Sequence, residues 1–381
     1  MQGAQRYQNP VRLSLERVWL YSVCCAIVAS LPFILLPWFH DVAYRYDFAC
    51  FWSAGANAGT SVLTDPQRLY DWAHARGMIA QPFSYLPAFA WLYAPLSRLD
   101  PMHALIVEEL GMTAVFAACG LVASRVYGFN PWFSVAAVLA WGPTVSAIEV
   151  GQNTGIALLL TFFLGWSLLH RRPALAGSAV GLLLYKPTLA LPLLLLLLVR
   201  REWRALGVAA LCCAGWYLAS VAASGGDWRW PVAYVRLASW WLPMDFSVGA
   251  IKAFTVPTLL MAAGLKLTPA AIAGAAILLL SLPLAARAGA VAASSMMPLV
   301  GLAASPHAWP YEAALALPAV FYAVTRLPEP PRTSVVGLAY AVVAVGMIAP
   351  HGIVTLAVLC VGGTAVWLWA GYRPSPRPRV V

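Results

Sequence analysis

Lys186 stands between Leu182-Leu183-Leu184-Tyr185 and Pro187-Thr188-Leu189, a lysine within an otherwise apolar stretch. An ammonium there is costly in lipid unless it meets an anion or water. The plainer reading is a snorkelling lysine whose head reaches the headgroups. Carboxylates offer the complementary chemistry. Asp41, Asp47, Asp65 and Asp71 lie among aromatic residues in a segment spanning 39–83. A carboxylate tuned by its surroundings can take a proton from a hydroxyl. The competing reading of Asp47 is a solvated loop residue, or a cap for a helix beginning near Phe48. Gly151-Gln152-Asn153 places two side-chain amides at the start of a helix, or else forms a turn with a capping asparagine. Ser305-Pro306-His307-Ala308-Trp309-Pro310-Tyr311-Glu312 gathers a histidine, aromatics and a carboxylate. No His-x-x-x-His or Cys-x-x-Cys spacing occurs, and the acids are scattered, so a metal site is not expected.

The elements that must hold these groups are transmembrane helices. Of 381 residues, 61% are apolar and only 10% charged, with a mean hydropathy of +0.75. A soluble domain carries about 25% charged residues. Candidate spans are 18–38, 102–124, 132–148, 152–169, 174–186, 187–199, 205–223, 269–286, 289–304, 311–325, 333–349 and 352–370, about twelve in all. Several fall short of the ~20 residues that cross a bilayer. Residues 84–98 are apolar but broken by Pro87 and Pro95, and are placed at the outer interface. The 18–38 segment follows Arg6, Arg12 and Arg17 without a small-residue cleavage site, so it is read as a first transmembrane helix.

The net charge of +10 follows from arginines in short turns, as the positive-inside bias requires, so nucleic acid is not an expected partner. With the N-terminus inside, Arg125, Arg171, Arg172, Arg200, Arg201, Arg204, Arg287 and Arg326 share the inner side with a basic tail over 371–381. Residues 39–83 and 224–254 then form two outer loops, and 1–370 a single membrane domain. Trp228, Trp230, Tyr234, Trp240 and Trp241 mark the second loop as interfacial. The basic turns at 170–173 and 200–204 have only the stretch 174–199 between them. That stretch is therefore expected to rise and return as two half-length helices, with Lys186-Pro187 at the tip. The seven cysteines mostly fall in apolar helices and suggest no disulfide framework. No internal repeat is evident, which weighs against a secondary transporter.

Five stretches in register resemble glycosyltransferase family 87. They are Asp47-Phe48 with Phe51-Trp52-Ser53-Ala54-Gly55 and Leu69-Tyr70-Asp71; Phe83-Ser84-Tyr85-Leu86-Pro87 through Ala94-Pro95-Leu96; Gly151-Gln152-Asn153; Lys186-Pro187 followed by Arg200-Arg201-Glu202-Trp203; and the Ser305–Glu312 stretch. Two departures stand out. The family commonly has Tyr-Pro-Pro where this chain has Tyr85-Leu86-Pro87, and many members carry histidines where Pro310-Tyr311-Glu312 follow Trp309.

The resemblance implies an all-α GT-C bundle in the cytoplasmic membrane, with its active site facing the extracytoplasmic side. It implies transfer of a mannose-like hexose or a pentose from a polyprenyl phosphate to a glycolipid or glycan. No cofactor is expected, and the partners are the lipid-linked donor, the acceptor and the bilayer. The family's catalytic acid maps onto Asp47, with Asp41 in reserve. One base suffices for a single inversion, unlike the paired carboxylates of hydrolysis. Lys186 would hold the donor phosphate, Gln152 and Asn153 the sugar hydroxyls, and His307 a phosphate oxygen or a proton. Glu312 and Glu149 either join the site or face water. Tyr85, Trp52 and Trp309 would stack on a sugar ring or anchor at the interface. The rival readings are a transporter or flippase of lipid-linked sugars and a non-catalytic membrane scaffold.

Overall fold

A computed structural model describes residues 46–79, 81–237, 239, 254–326 and 357–372. The expected spans 18–38 and 333–349, together with Asp41, Trp240, Trp241 and the tail beyond 372, lie outside the described residues. Every described element is a helix. Two short helices come first, α1 (Tyr46–Ala56) and α2 (Pro66–His74). The segment from Pro87 to Arg98 is broken into a 3-10 turn, one α-helical turn and a second 3-10 turn, because Pro87 and Pro95 interrupt its ladder.

The bundle proper runs α3 (Pro101–Tyr127), α4 (Pro131–Leu139), α5 (Gly142–Glu149), α6 (Thr154–Leu169), α7 (Pro173–Leu182), α8 (Pro187–Val199) and α9 (Trp203–Ala223). It continues as α10 (Val256–Ala262), α11 (Leu267–Arg287), α12 (Ala290–Ala304), α13 (Leu317–Arg326) and α14 (Gly363–Tyr372). Helix starts follow a common device, a proline at N1 behind a capping side chain. Asp65, Asp100 and Asn130 each accept two backbone N–H groups in this way.

Among the described residues, α3, α9 and α11 are long and apolar enough to cross a membrane. α4 and α5 together make a fourth candidate, bent by 62° at Ala140-Trp141. The protein is thus a membrane protein, with three clear apolar spans and several shorter apolar helices among its described residues. The helices expected from the sequence over 152–223 are all present, with small shifts at their ends. Only one of them reaches full spanning length, because Pro173, Pro187 and the paired arginines cut the others short.

The Lys186 segment folds as the charge spacing predicts. A Cβ on Gly177 would stand 2.2 Å from the Ala205 carbonyl oxygen, and one on Gly181 would stand 3.1 Å from the Ala209 Cα. Contacts that advance together along both chains make α7 and α9 parallel. α8 must therefore return to the level at which α7 began, giving an up–down–up path with Lys186 at the turn. Arg171 and Arg201 close the basic turns at either side of this hairpin, each in the left-handed conformation, with φ of 52° and 57°.

The same register places the arginine turns together. Arg200 Nη1 donates to the carbonyls of Ala285 (3.3 Å) and Ala288 (2.7 Å), joining the end of α8 to the α11–α12 turn. Tyr127, at the end of α3, bonds Ser295 near the start of α12 at 2.7 Å and stacks on Phe321 of α13 at 5.6 Å. Arg125, Arg171, Arg172, Arg200, Arg201, Arg204, Arg287 and Arg326 thus crowd one end of the bundle. Lys186 and the Gly151 and Ser305 turns sit toward the other.

Candidate active site

α1 is an aromatic helix because Phe48, Phe51 and Trp52, at i, i+3 and i+4, make one buried stripe. Phe48 lies against Gly151, where a Cβ would stand 2.6 Å from the Phe48 Cβ; the Gly151 φ of +70° excludes other residues as well. Trp52 Nε1 donates to the Leu99 carbonyl at 3.3 Å, so this indole anchors α1. Asp47 stands within the first turn of the helix, not at the cap position the sequence suggested. It shares a helix face with Phe51, four residues on. The Phe51 ring packs on Tyr85 at 5.0 Å and stacks on Tyr93 at 4.8 Å.

Tyr85 is the hub. Its hydroxyl donates to Gln152 Oε1 at 3.2 Å, and Gln152 Nε2 donates to the Tyr311 hydroxyl oxygen at 3.1 Å. The Lys186 ammonium lies over both rings, 5.6 Å from Tyr85 and 5.9 Å from Tyr311. Lys186 reaches this point because the following proline forces its backbone out of the helix, at φ −118° and ψ 84°. Its Nζ donates to Glu312 Oε1 at 3.4 Å, and the two side chains are only 5% and 8% exposed. Glu312 Oε2 in turn accepts the Trp309 backbone N–H at 3.2 Å. Asp47 is close enough for its charge to act on both Tyr85 and Lys186. Burial first, and then the charges of Asp47 and Glu312, push the Tyr85 phenol well above its ordinary range, so it remains a donor.

The structure thus brings Asp47, Tyr85, Gln152, Lys186 and Glu312 to one place, from five separate stretches of chain. Trp309 adjoins them through its parallel stack on Tyr311 at 6.3 Å. The His307 ring meets Trp309 edge-on at 6.5 Å, and its backbone N–H donates to Ser305 Oγ at 3.2 Å. Asn153 occupies the N-cap position of α6 but makes no capping bond; Tyr185 donates to its backbone carbonyl instead. Its side-chain amide is fully buried with no hydrogen-bond partner among the described residues.

Three features of the site are absent from the sequence reading. Tyr311, read only as part of a motif, closes the Gln152 network. Tyr185 and Phe89, stacked at 4.2 Å, extend the aromatic wall beside Tyr85. Glu108 and Glu109 are both buried in α3, and Tyr93 Oη donates to Glu108 Oε1 at 3.2 Å. Adjacent carboxylates inside an apolar run were a legible signal, since intramembrane acids are expensive and mark function by default. Among the described residues no three His, Cys, Asp or Glu side chains cluster as a metal site would require.

The glycosyltransferase family 87 model matches residues 83–306, more than half of the chain, and the chain belongs to that family. The protein is therefore a glycosyltransferase. The match contains Tyr85, Gln152, Asn153 and Lys186, while Asp47, His307, Trp309 and Glu312 fall outside its bounds. No curated protein and no solved structure matches the chain.

Proposed function

We propose that this chain transfers a mannose-like hexose or a pentose from a polyprenyl phosphate to a glycolipid or glycan, at the extracytoplasmic face of the cytoplasmic membrane. The observation that carries the reading is the Lys186 ammonium lying over the Tyr85 ring, with Asp47 near enough for its charge to act on both. In the reaction, the acceptor hydroxyl oxygen bonds to the anomeric carbon while the bond from that carbon to the phosphate oxygen breaks. Polyprenyl phosphate leaves with the bonding electrons, and Asp47 takes the hydroxyl proton. Lys186 meets the charge that grows on the departing phosphate. An ammonium has three N–H donors, and Glu312 occupies one, so Glu312 orients the head while donors remain for phosphate oxygens. Glu312 is on this reading a positioning residue. Gln152 holds Tyr85 and Tyr311 as the walls of the site.

The orientation follows from charge. The arginine turns gather at the end away from Lys186, and the positive-inside bias assigns such an end to the cytoplasm. No cofactor or resident metal is needed on this mechanism, since Lys186 supplies the cation, and a chelator should leave the rate unchanged.

The test is transfer in proteoliposomes, with a panel of polyprenyl-phosphate sugars as donors. Wild-type protein should transfer from at least one donor, and Asp47→Asn should lose turnover yet still bind it. A protein that moves the intact lipid-linked sugar across the bilayer, indifferent to Asp47→Asn, would be a transporter. Mass spectrometry of cell-envelope glycolipids from a strain lacking the protein should show one species short by a single sugar.

A further inference from the structure

Two helix ends share one construction. α6 closes with the Arg171 N–H donating to the Leu168 carbonyl at 3.2 Å and the Arg172 N–H to the Ser167 carbonyl at 2.8 Å. α8 closes with the Arg201 N–H donating to the Leu198 carbonyl at 2.9 Å and the Glu202 N–H to the Leu197 carbonyl at 3.0 Å. This pair of bonds needs a left-handed residue just past the helix, a place that glycine takes without strain. α5 and α9 end in the same two bonds, and there the left-handed residues are Gly151 and Gly225. Among the described residues, Arg171 and Arg201 are the only left-handed positions not held by glycine. A side chain that crowds its own backbone where glycine would relieve it points to a use for that side chain.

The two turns are neighbours. Gly177 and Ala205 stand near the starts of α7 and α9, and a Cβ on Gly177 would lie 2.2 Å from the Ala205 carbonyl oxygen. The turns leading into these helices therefore lie side by side at the basic end of the bundle. Arg171, Arg172, Arg201 and Arg204 are exposed there, and Glu202, half-buried, is the one acid in the two turns. The positive-inside bias accounts for arginines at this end, but not for two of them in left-handed backbone. Apolar side chains adjoin them on the same helices. Leu169, Leu175 and Leu198 are exposed, and Trp203, beside Arg201, is 63% exposed, as an indole at the headgroup level is. Cations above an exposed apolar surface complement an anionic phospholipid, which carries its phosphate over its acyl chains.

We infer that Arg171 and Arg201 together form a site for the headgroup phosphate of an anionic phospholipid, with the acyl chains along the exposed leucines of α6, α7 and α8. The planar guanidinium fork takes two phosphate oxygens at once, which a scattered surface charge does not do. The exposed leucines favour a lipid over free phosphate, since a soluble anion has nothing to lay against them. This site is separate from the Lys186 cluster and depends neither on the transfer reading nor on which leaflet the basic end meets.

The test is thermal unfolding of the full chain in neutral detergent micelles, titrated with phosphatidylglycerol, phosphatidylcholine or inorganic phosphate. Phosphatidylglycerol should raise the Tm saturably, and the other two should not. Arg171→Gly/Arg201→Gly removes both charges while suiting the backbone, so its lipid-free Tm should be unchanged or higher. Its apparent affinity for phosphatidylglycerol should be weaker by about tenfold or more. Each single variant should show part of that loss, and the singles carry the test if the pair fails to fold. Arg125→Gln/Arg287→Gln removes the same charge from the same end outside these turns, and should keep the wild-type affinity. An equal loss in that control would mean a diffuse basic surface and overturn the paired site. So would glycine variants that bind as wild type does, or a rise in Tm with phosphatidylcholine to match that with phosphatidylglycerol. A matching rise with inorganic phosphate would make it a site for a free anion and overturn the lipid.

Discussion

Lys186 and Glu312, far apart in sequence, form a buried ion pair at 3.4 Å. Such a pair does little for stability when intact, because desolvating both charges offsets their attraction. Removing one partner is another matter, as it strands the other charge. Lys186→Met should therefore destabilise the protein by about 3–5 kcal/mol. The double variant Lys186→Met/Glu312→Leu should recover most of that loss. Thermal unfolding in detergent measures both. Transfer should be lost in the single and the double variant alike, because neither can hold the phosphate. A double variant that regains activity with stability would remove Lys186 from the chemistry.

Asp47 is the base on the proposed reading. Asp47→Asn preserves the shape of the side chain, and α1 is held by Phe48 and Trp52, so the fold should stand. Turnover should fall by about 10²–10⁴, the range for removal of a general base. Donor affinity should be unchanged, read by binding of a labelled polyprenyl-phosphate sugar to detergent-solubilised protein. If Asp41→Asn carries the loss and Asp47→Asn does not, the assignment moves to Asp41.

Gln152 makes two bonds with one amide, accepting from Tyr85 and donating to Tyr311. Gln152→Leu removes the acceptor of the Tyr85 hydroxyl and a donor to the Tyr311 hydroxyl, and should cost about 1–3 kcal/mol for the Tyr85 hydroxyl left buried without that acceptor. It should also lower turnover, because Tyr85 lies between Lys186 and the Asp47-bearing helix. Tyr85→Phe and Tyr311→Phe, made singly and together, should show a coupling of at least about 0.5 kcal/mol if the amide links them. Purely additive stabilities would mean that each tyrosine is held by its own packing.

Much of this arrangement was legible because it depends on local rules. Arg171-Arg172 and Arg200-Arg201, too close in sequence to enclose two full crossings, imposed a hairpin, and Lys186-Pro187 marked its tip. Pro87 and Pro95 announced the broken segment before α3. What the residues could not convey was partnership across the bundle. Nothing in the sequence says that the ammonium of Lys186 is held by Glu312, or that Gln152 faces Tyr85 and Tyr311, since these contacts depend on how α6, α8 and the 310–316 turn pack. Span length depends on a related property: among the described residues α6, α7, α8 and α12 are shorter than a full crossing, because prolines and turns, which a window of apolar residues does not register, set their ends. Glu108 and Glu109 were overlooked inside the long apolar run of α3, where two adjacent acids are the informative exception.

The hairpin also makes a claim about α7 and α9. Gly177 is there for space: its Cβ position lies 2.2 Å from the Ala205 carbonyl oxygen and 2.9 Å from the Ala205 Cα, both backbone atoms that cannot turn aside. Gly177→Ala must push the two helices apart, an overpacking that should cost about 1–3 kcal/mol or more. Gly207 is the control, since it lies in the same pair of helices with no heavy atom within 4 Å of its Cβ position. Gly207→Ala should be neutral or stabilising by up to about 1 kcal/mol, because alanine favours the helix. The two variants differ in activity as well. Moving α7 shifts Lys186 at the hairpin tip relative to Tyr85 and Glu312, so Gly177→Ala should raise the KM for the donor even at a temperature where the protein stays folded, while Gly207→Ala should not. If both variants behave alike in unfolding and in donor KM, the close parallel contact of α7 with α9 does not set the position of Lys186.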